Sequence, residues 1–318
     1  MSDLLAWWVV IQVIGVVAFP IGYVFFNRLP DRGYAFSKVL GLLLVGYLLW
    51  MGAVTGVISN SRGSIQLILL ALAVVAIVIV GRKREEIGEF LRERWSYIFF
   101  VEALFLTAFV VAAWLRSYVP DLIGTEKPYE FAYLNSILRS EQLPPNDPWL
   151  SGFYLSYYYF GFVMIAALVK LTGVPAGIAF NLGLALIAAL TVVATFGVMY
   201  NLIADRGRVR LAVIFGVVAV AVLFLGNLEG LLELMAAHGI GPKALYTWAG
   251  IDGLGLKDPT TSKWYPNEFF WWWRSTRIPT NWDIKEYPFF SFLLGDLHPH
   301  VMVMPFSMLA VAIGFNLM

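Results

Sequence analysis

The chain has 318 residues, 60% of them apolar and only 14% charged, with a mean hydropathy of +0.75. A soluble domain is nearer half apolar and a quarter charged, so the composition is that of a membrane protein. The net charge of +1 comes with no basic stripe of the kind that holds nucleic acid, and with no cysteine the chain has no disulfide, thiolate metal site or thiol nucleophile.

A membrane span needs about 20 apolar residues. The first apolar stretch, residues 4–26, is too long for a cleaved signal peptide and lacks its basic start, so it reads as a span. Further spans are expected at 39–58, 65–80, 96–115, 178–202 and 211–226, with a last one beginning near Phe289 or Val301. Because the sequence stops inside that apolar run, a chain truncated at its C-terminus is expected.

Basic residues fall in three groups: Arg28, Arg32 and Lys38; Arg82, Lys83, Arg84, Arg92 and Arg94; and Arg206, Arg208 and Arg210. Cytoplasmic loops collect such residues. With the first two groups inside, the N-terminus lies outside. The third group then decides how 154–171 is read. As a full crossing, that segment would put 203–210 outside. As a re-entrant or interfacial segment, it leaves 203–210 inside and both long loops, 116–153 and 227–287, outside. The second version is preferred, because Tyr154, Tyr157, Tyr158 and Tyr159 suit a membrane interface, where the ring is apolar and the hydroxyl wet. An ordinary span with a Tyr-rich entrance is the alternative.

The run 81–94 interleaves acids and bases at helical spacing and reads as a solvated helix. Glu102 lies inside a span, where an acid is a functional candidate by default. In the first outer loop, Asp121, Glu126 and Glu130 gather beyond the span that ends near Arg116. The pattern EFAYLNSILRS then predicts an amphipathic surface helix over 130–140 with Phe131, Leu134 and Leu138 on one face. Pro144, Pro145 and Pro148 stiffen the backbone around Asp147, which either serves chemistry or merely forms a turn. The second outer loop holds Trp264, Trp271, Trp272, Trp273 and Trp282, followed or flanked by Arg274 and Arg277. Such residues can bind sugar rings and phosphates, or simply anchor the loop at the interface. It ends in GDLHPH, 295–300, whose Asp296, His298 and His300 are of the type that ligates metal or meets phosphate. Pro299 favours an extended backbone that would point both imidazoles the same way.

With these pieces in view, the chain resembles a prokaryotic family of multi-span membrane proteins of unknown function marked by a Tyr-Tyr-Tyr motif. The matching stretches are EKPYE (126–130), PPNDPW (144–149), YYYFG (157–161), RSTRIP (274–279) and EYPFFSFLLGDLHPH (286–300). Two positions depart from that pattern: Glu130 stands where the family tends to show Asp, and GDLHPH replaces GDLHAH. The family in turn is similar to the GT-C superfamily of membrane glycosyltransferases. What this resemblance implies is an all-α polytopic fold with two long outer loops. Residues 1–95 would be N-terminal transmembrane helices added to a GT-C-like core over 96–318.

The activity it implies is transfer of a sugar from a polyprenyl-phosphate donor to an acceptor at the outer face of the cell membrane. Such a reaction needs a base for the acceptor hydroxyl and a partner for the departing phosphate. Glu130 and Asp147 are the expected catalytic acids. Glu126, Lys127, Tyr157, Tyr158, Arg274, Arg277 and His298 are the expected substrate-binding residues. Whether a divalent metal, Mg²⁺ or Mn²⁺, takes part is left open; Asp296 and His300 are its expected ligands, and Glu130 and Asp147 could hold it together with His300. Expected partners are the lipid-linked sugar and membrane lipid. The alternative is a non-catalytic transport or scaffold subunit, although a transporter would keep its ionisable residues inside its spans.

Overall fold

The computed structural model describes residues 2–204, 208–226, 228–249, 276 and 285–318. Helices account for the ordered elements, and no strand occurs among the described residues. Residues 1–220 with 295–318 form one compact unit and residues 221–294 a second.

In the first unit, α1 (Ser2–Phe25), α2 (Ser37–Val54), α3 (Arg62–Arg82), α5 (Trp95–Ser117) and α8 (Ala176–Ala204) are long and apolar enough to cross a membrane. A sixth such stretch joins α13 (Pro299–Met302) to α14 (Met304–Leu317). The multi-span membrane character expected from composition is therefore present, and the last span begins at the later of its two expected positions. The 17-residue α9 (Val209–Leu225) is equally apolar. Helix α8 is the axis of the unit, buried along nearly its whole length and packed on α5 and α14. By contrast, α3 and α5 expose Leu67, Leu70, Ile77, Val110 and Trp114, the apolar outer surface that lipid would cover.

Members of the first two basic groups meet at one end of this unit, beside the close of α8. A cavity of about 500 Å³ there is lined by Arg28, Arg32, Glu86, Glu89 and Arg94, together with Ala204 from the last turn of α8. Asn316, near the end of α14, accepts from the Arg28 amide at 3.1 Å. Between α3 and α5, α4 (Arg84–Glu93) is the expected charged helix, with Ile87 and Phe90 buried against Phe19 and Tyr23. Glu102 is not left to lipid. Gln12 and Tyr34 each donate to it at 2.9 Å, and Lys38 pairs with it. The neighbouring Asp31 is fully buried and accepts from Tyr97 at 2.8 Å and from the amides of Gly33 and Ala35.

At the opposite end lie the α2–α3 connection, α6 (Lys127–Arg139) and α7 (Phe160–Thr172). Ser61 caps α3 by accepting from the Ser64 amide. Asn60 donates to the carbonyls of Ile137 and Ser140, satisfying the last turn of α6. The buried face of α6 is Lys127, Glu130, Leu134 and Ile137, set against α7 and α8. It is thus a packed helix with a charged first turn, rather than one resting through Phe131, Leu134 and Leu138 on a membrane surface.

Helix α7 has 13 residues, about 20 Å at 1.5 Å each, too short for a hydrocarbon core of about 30 Å. Both its ends lie at this same end of the unit. Tyr159 accepts from Trp50 Nε1 at 3.0 Å near the close of α2, and Lys170 donates to the Asn60 carbonyl. Gly173 ends it with φ +75°, a left-handed cap that glycine adopts without strain. Both ends of α7 are thus tied to the close of α2 and the connection that follows it, while Ala204 at the end of α8 lies beside Arg28, Arg32 and Arg94.

In the second unit, α10 (Glu229–Ala237) and α11 (Lys243–Trp248) pack through Ala236 and Tyr246. Phe224 stacks on Phe292 of α12 (Pro288–Leu294), ring centroids 5.4 Å apart. Trp264, Trp271, Trp272, Trp273, Trp282, Arg274 and Arg277 lie outside the described residues.

The placement of α7 is open to labelling, since the chain has no native cysteine. Tyr158→Cys and Pro175→Cys, flanking α7, should both react with an impermeant thiol reagent from one side of the membrane. Arg84→Cys and Arg208→Cys should both react from the other. Labelling of Tyr158 and Pro175 from opposite sides would make α7 a crossing.

Candidate functional site

The site is built by docking the GDLHPH turn against the first turn of α6. Lys127 begins α6 and is almost fully buried, a position a lysine tolerates only with a partner. Its ammonium lies 3.3 Å from Oδ1 of Asp296, and Thr125 donates to the same oxygen at 2.6 Å. The Leu297 amide donates to Oε2 of Glu130 at 2.7 Å. Gly295 makes the turn at φ +84°, and the Arg116 guanidinium occupies the space a Cβ would take. Arg116 is itself held by Asn181, through Nε at 3.0 Å and Nη2 at 2.6 Å. The C-terminal end of α5, the start of α8, the start of α6 and the turn before α13 thereby fix one another.

That docking brings His298 over the acids. Its Nδ1 stands 2.9 Å from Oε1 of Glu130 and 3.2 Å from Oε2 of Glu126. Glu126 and Glu130 share a helix face because four residues separate them. Oε1 of Glu130 is buried and accepts no hydrogen bond of good geometry, the ring nitrogen being near it but not aligned on it. On its far side, Nε2 of His298 lies 3.4 Å from the Tyr157 hydroxyl. Pro299 occupies the first position of the short helix α13, a place proline suits, so the two histidines do not adopt the extended arrangement. Their rings lie 4.7 Å apart.

Aromatic rings wall the acids. Tyr133 stacks on Tyr157 at 4.9 Å and meets Trp149 edge-on at 5.5 Å, and Tyr129 lies 5.2 Å from the same indole. Burial first, then the charges of Asp147, Glu126 and Glu130, raises the Tyr133 hydroxyl above its ordinary pKa. The same burial, with Glu126 and Glu130, pushes Tyr157 up to about 12. Burial also raises Glu130, against the lowering influence of His298. Asp147 sits in its Pro-rich turn with Oδ1 accepting from the amides of Trp149 at 2.9 Å and Leu150 at 2.8 Å.

Of the residues singled out in the sequence, Glu126, Lys127, Glu130, Tyr157, Asp296 and His298 meet here, and Asp147 borders them through Tyr133. Asp296 is engaged by Lys127 and Thr125. His300 and Tyr158 instead help line an adjoining apolar cavity of about 630 Å³, with Trp50, Met164, Met302 and Phe306. Tyr157, whose hydroxyl lies 3.4 Å from Nε2 of His298, lines it too. Arg116, Thr125, Tyr133 and Asn181 were not anticipated. An arginine closing an apolar span just ahead of an acid cluster was the available signal for the first of them.

A pH test follows from Glu130. Between its ordinary and raised pKa, the folded chain holds a proton that the unfolded chain has lost. The stability this group contributes is therefore fully present below the ordinary value and lost as pH rises through the raised one. Glu130→Gln still accepts from the Leu297 amide but cannot ionise. With a chelator present, its Tm should decline less from about pH 4.5 to 8 than that of the wild type, the interval around the ordinary glutamate value and above it. Parallel profiles would show that Glu130 is not strained by ionisation.

Residues 44–318 match the family model described as "Uncharacterized membrane protein (DUF2298)". Neither a curated protein nor a solved structure matches the chain. Every residue of the site, from Arg116 to His300, falls inside the family match, whereas Gln12, Tyr34 and Lys38 precede it. Matched over most of its length, and carrying the Tyr-Tyr-Tyr run within the matched region, the chain belongs to this family of uncharacterized multi-span membrane proteins.

Proposed function

We propose that this protein is a GT-C-type membrane glycosyltransferase that moves a sugar from a polyprenyl-phosphate donor to an acceptor hydroxyl. The observation that carries the reading is one juxtaposition. An apolar cavity of about 630 Å³, lined by Tyr157 and His300, lies next to His298 and the carboxylates it meets. A molecule that is apolar for most of its length and anionic at one end fits both halves. The excess of Arg and Lys at the opposite end makes that end cytoplasmic, so the site faces outward. In this reading, residues 1–95 are an addition to a core that begins at residue 96.

The prenyl chain would lie along Trp50, Met164 and Phe306, with its phosphate beside His298 and His300. The acceptor oxygen forms its bond to the anomeric carbon as the bond from that carbon to the phosphate oxygen breaks. The proton leaves the acceptor for Asp147, and the phosphate leaves on the lipid. Asp147 suits this role because two backbone amides hold one carboxylate oxygen in place, so the group is oriented before the acceptor arrives. Tyr133 and Trp149 offer ring faces against which a pyranose can pack. Fold resemblance alone would not carry an activity. A transport role fits less well, because the acids gather at one end of the unit and the acid inside a span, Glu102, is already paired.

The decisive variant is Asp147→Asn. Its amide oxygen can keep both bonds to the Trp149 and Leu150 amides, so the turn and the fold should survive. Loss of a positioned base usually lowers a rate about 100-fold or more. In membranes containing folded protein, sugar transfer from a polyprenyl-phosphate-linked donor should fall by that much. Equal transfer by variant and wild type would leave Asp147 a turn former, and absence of transfer by the wild type with a range of lipid-linked sugars would remove the enzyme reading.

A further inference from the structure

We infer that Glu126, Glu130 and Nδ1 of His298 form a divalent-cation site, and that its imidazole makes it prefer a first-row transition ion such as Mn²⁺ over Mg²⁺. This inference concerns the ion alone and holds whatever reaction the protein performs.

Three observations meet. First, one ligand atom from each residue lies within 4.8 Å of the other two, in a set that combines a helix face with a separate turn. Second, Oε1 of Glu130, on a side chain 1% exposed, is aimed into the group and has no well-aligned donor, the His298 ring nitrogen 2.9 Å away being its one near polar neighbour in the group. A buried carboxylate oxygen without a donor is costly, and a cation satisfies it. Oε2 cannot turn to help, because the Leu297 amide holds it. Third, the spacing suits coordination. Metal–oxygen and metal–nitrogen bonds of about 2.0–2.2 Å, taken at right angles, separate neighbouring donors by about 3 Å. Nδ1 is 2.9 Å from one carboxylate oxygen and 3.2 Å from the other.

The surroundings support the same assignment. The Tyr157 hydroxyl beside Nε2 can accept its proton. With that proton on Nε2 the lone pair falls on Nδ1, the arrangement that partners of ligating histidines generally favour. Asp296 is neutralised by Lys127, so the two glutamates remain the local excess charge that a dication would balance. Glu126, with its side chain 59% exposed, leaves one side of the site open to water or to substrate oxygens. Choice of ion follows from the donors. Mg²⁺ prefers oxygen alone and keeps its waters, whereas imidazole suits transition ions and carboxylate suits Mn²⁺. The competing account is an imidazolium paired with two carboxylates and no metal.

The test is Mn²⁺ binding by the purified full chain in detergent after treatment with chelator, read by loss of the free-ion electron paramagnetic resonance signal. Wild type should take up one ion per chain. His298→Ala and Glu130→Gln should each weaken binding at least tenfold, while Asp121→Asn, an exposed acid of the same loop, should not. Mg²⁺ should compete only in more than tenfold excess. Because a variant could misfold, the wild-type complex is also read for ¹⁴N coupling from a bound imidazole, which requires no substitution. No uptake by folded wild type, uptake without ¹⁴N coupling, or equal competition by Mg²⁺ would each overturn the proposal. None of these outcomes depends on sugar transfer, so failure here and failure of the proposed activity remain distinct.

Discussion

The site depends on one contact, the docking of the GDLHPH turn onto the first turn of α6. Glu130 and Leu297 are 167 residues apart in sequence, yet an amide of one meets a carboxylate of the other. The ion pair of Lys127 with Asp296 is buried on both sides. Such a pair contributes less to net stability than its short distance suggests, because both ions have left water. What it supplies is register. Only one placement of the turn satisfies Lys127, Thr125 and Glu130 together. Arg116 presses from behind, so the turn tolerates only glycine at 295.

A second constraint is that charge in an apolar protein must find a partner or reach an end. Both ends obey it, but differently. At the basic end, Glu102 is satisfied by Lys38, Tyr34 and Gln12, and Asp31 by Tyr97 and two amides. Those networks are closed, and they tie α1 and α2 to α5. At the other end the acids are only partly satisfied. Oε1 of Glu130 has no well-aligned donor, only the His298 ring beside it, and Glu126 is largely exposed. A closed network stabilises, whereas an incomplete one beside a cavity is placed to receive something.

This difference also decides what the sequence could reveal. Spans were legible because twenty apolar residues in a row have few other uses. The members of the site were legible by type: acids, histidines and tyrosines in motifs too polar for the segments around them. Their pairing was not. Nothing in the spacing of 126, 130 and 298 says that His298 rather than His300 meets the glutamates. That follows from Pro299 starting a helical turn, which swings the second ring toward the apolar cavity. Nor does sequence tell that Asp296 answers Lys127, since the pairing is made by the fold. Asp147 could be read in either role, and its geometry keeps both: the same two amides that make it a turn former also hold it ready as a base.

The Tyr-Tyr-Tyr run shows why residue type and position must be read together. As an interface belt, its three rings would be equivalent. In the structure they divide. Tyr159 turns to Trp50 and fastens the start of α7 to α2. Tyr158 is largely exposed at the lip of the cavity, and Tyr157 stacks on Tyr133 with its hydroxyl toward His298. One consecutive run thus anchors the short helix α7, edges an apolar groove and places a hydroxyl beside an imidazole. Consecutive residues at an extended entrance point in different directions, and α7 has to start there because it is too short to cross. Tyr157, which lines the groove and stands beside His298, is therefore the residue the groove and the acid site share.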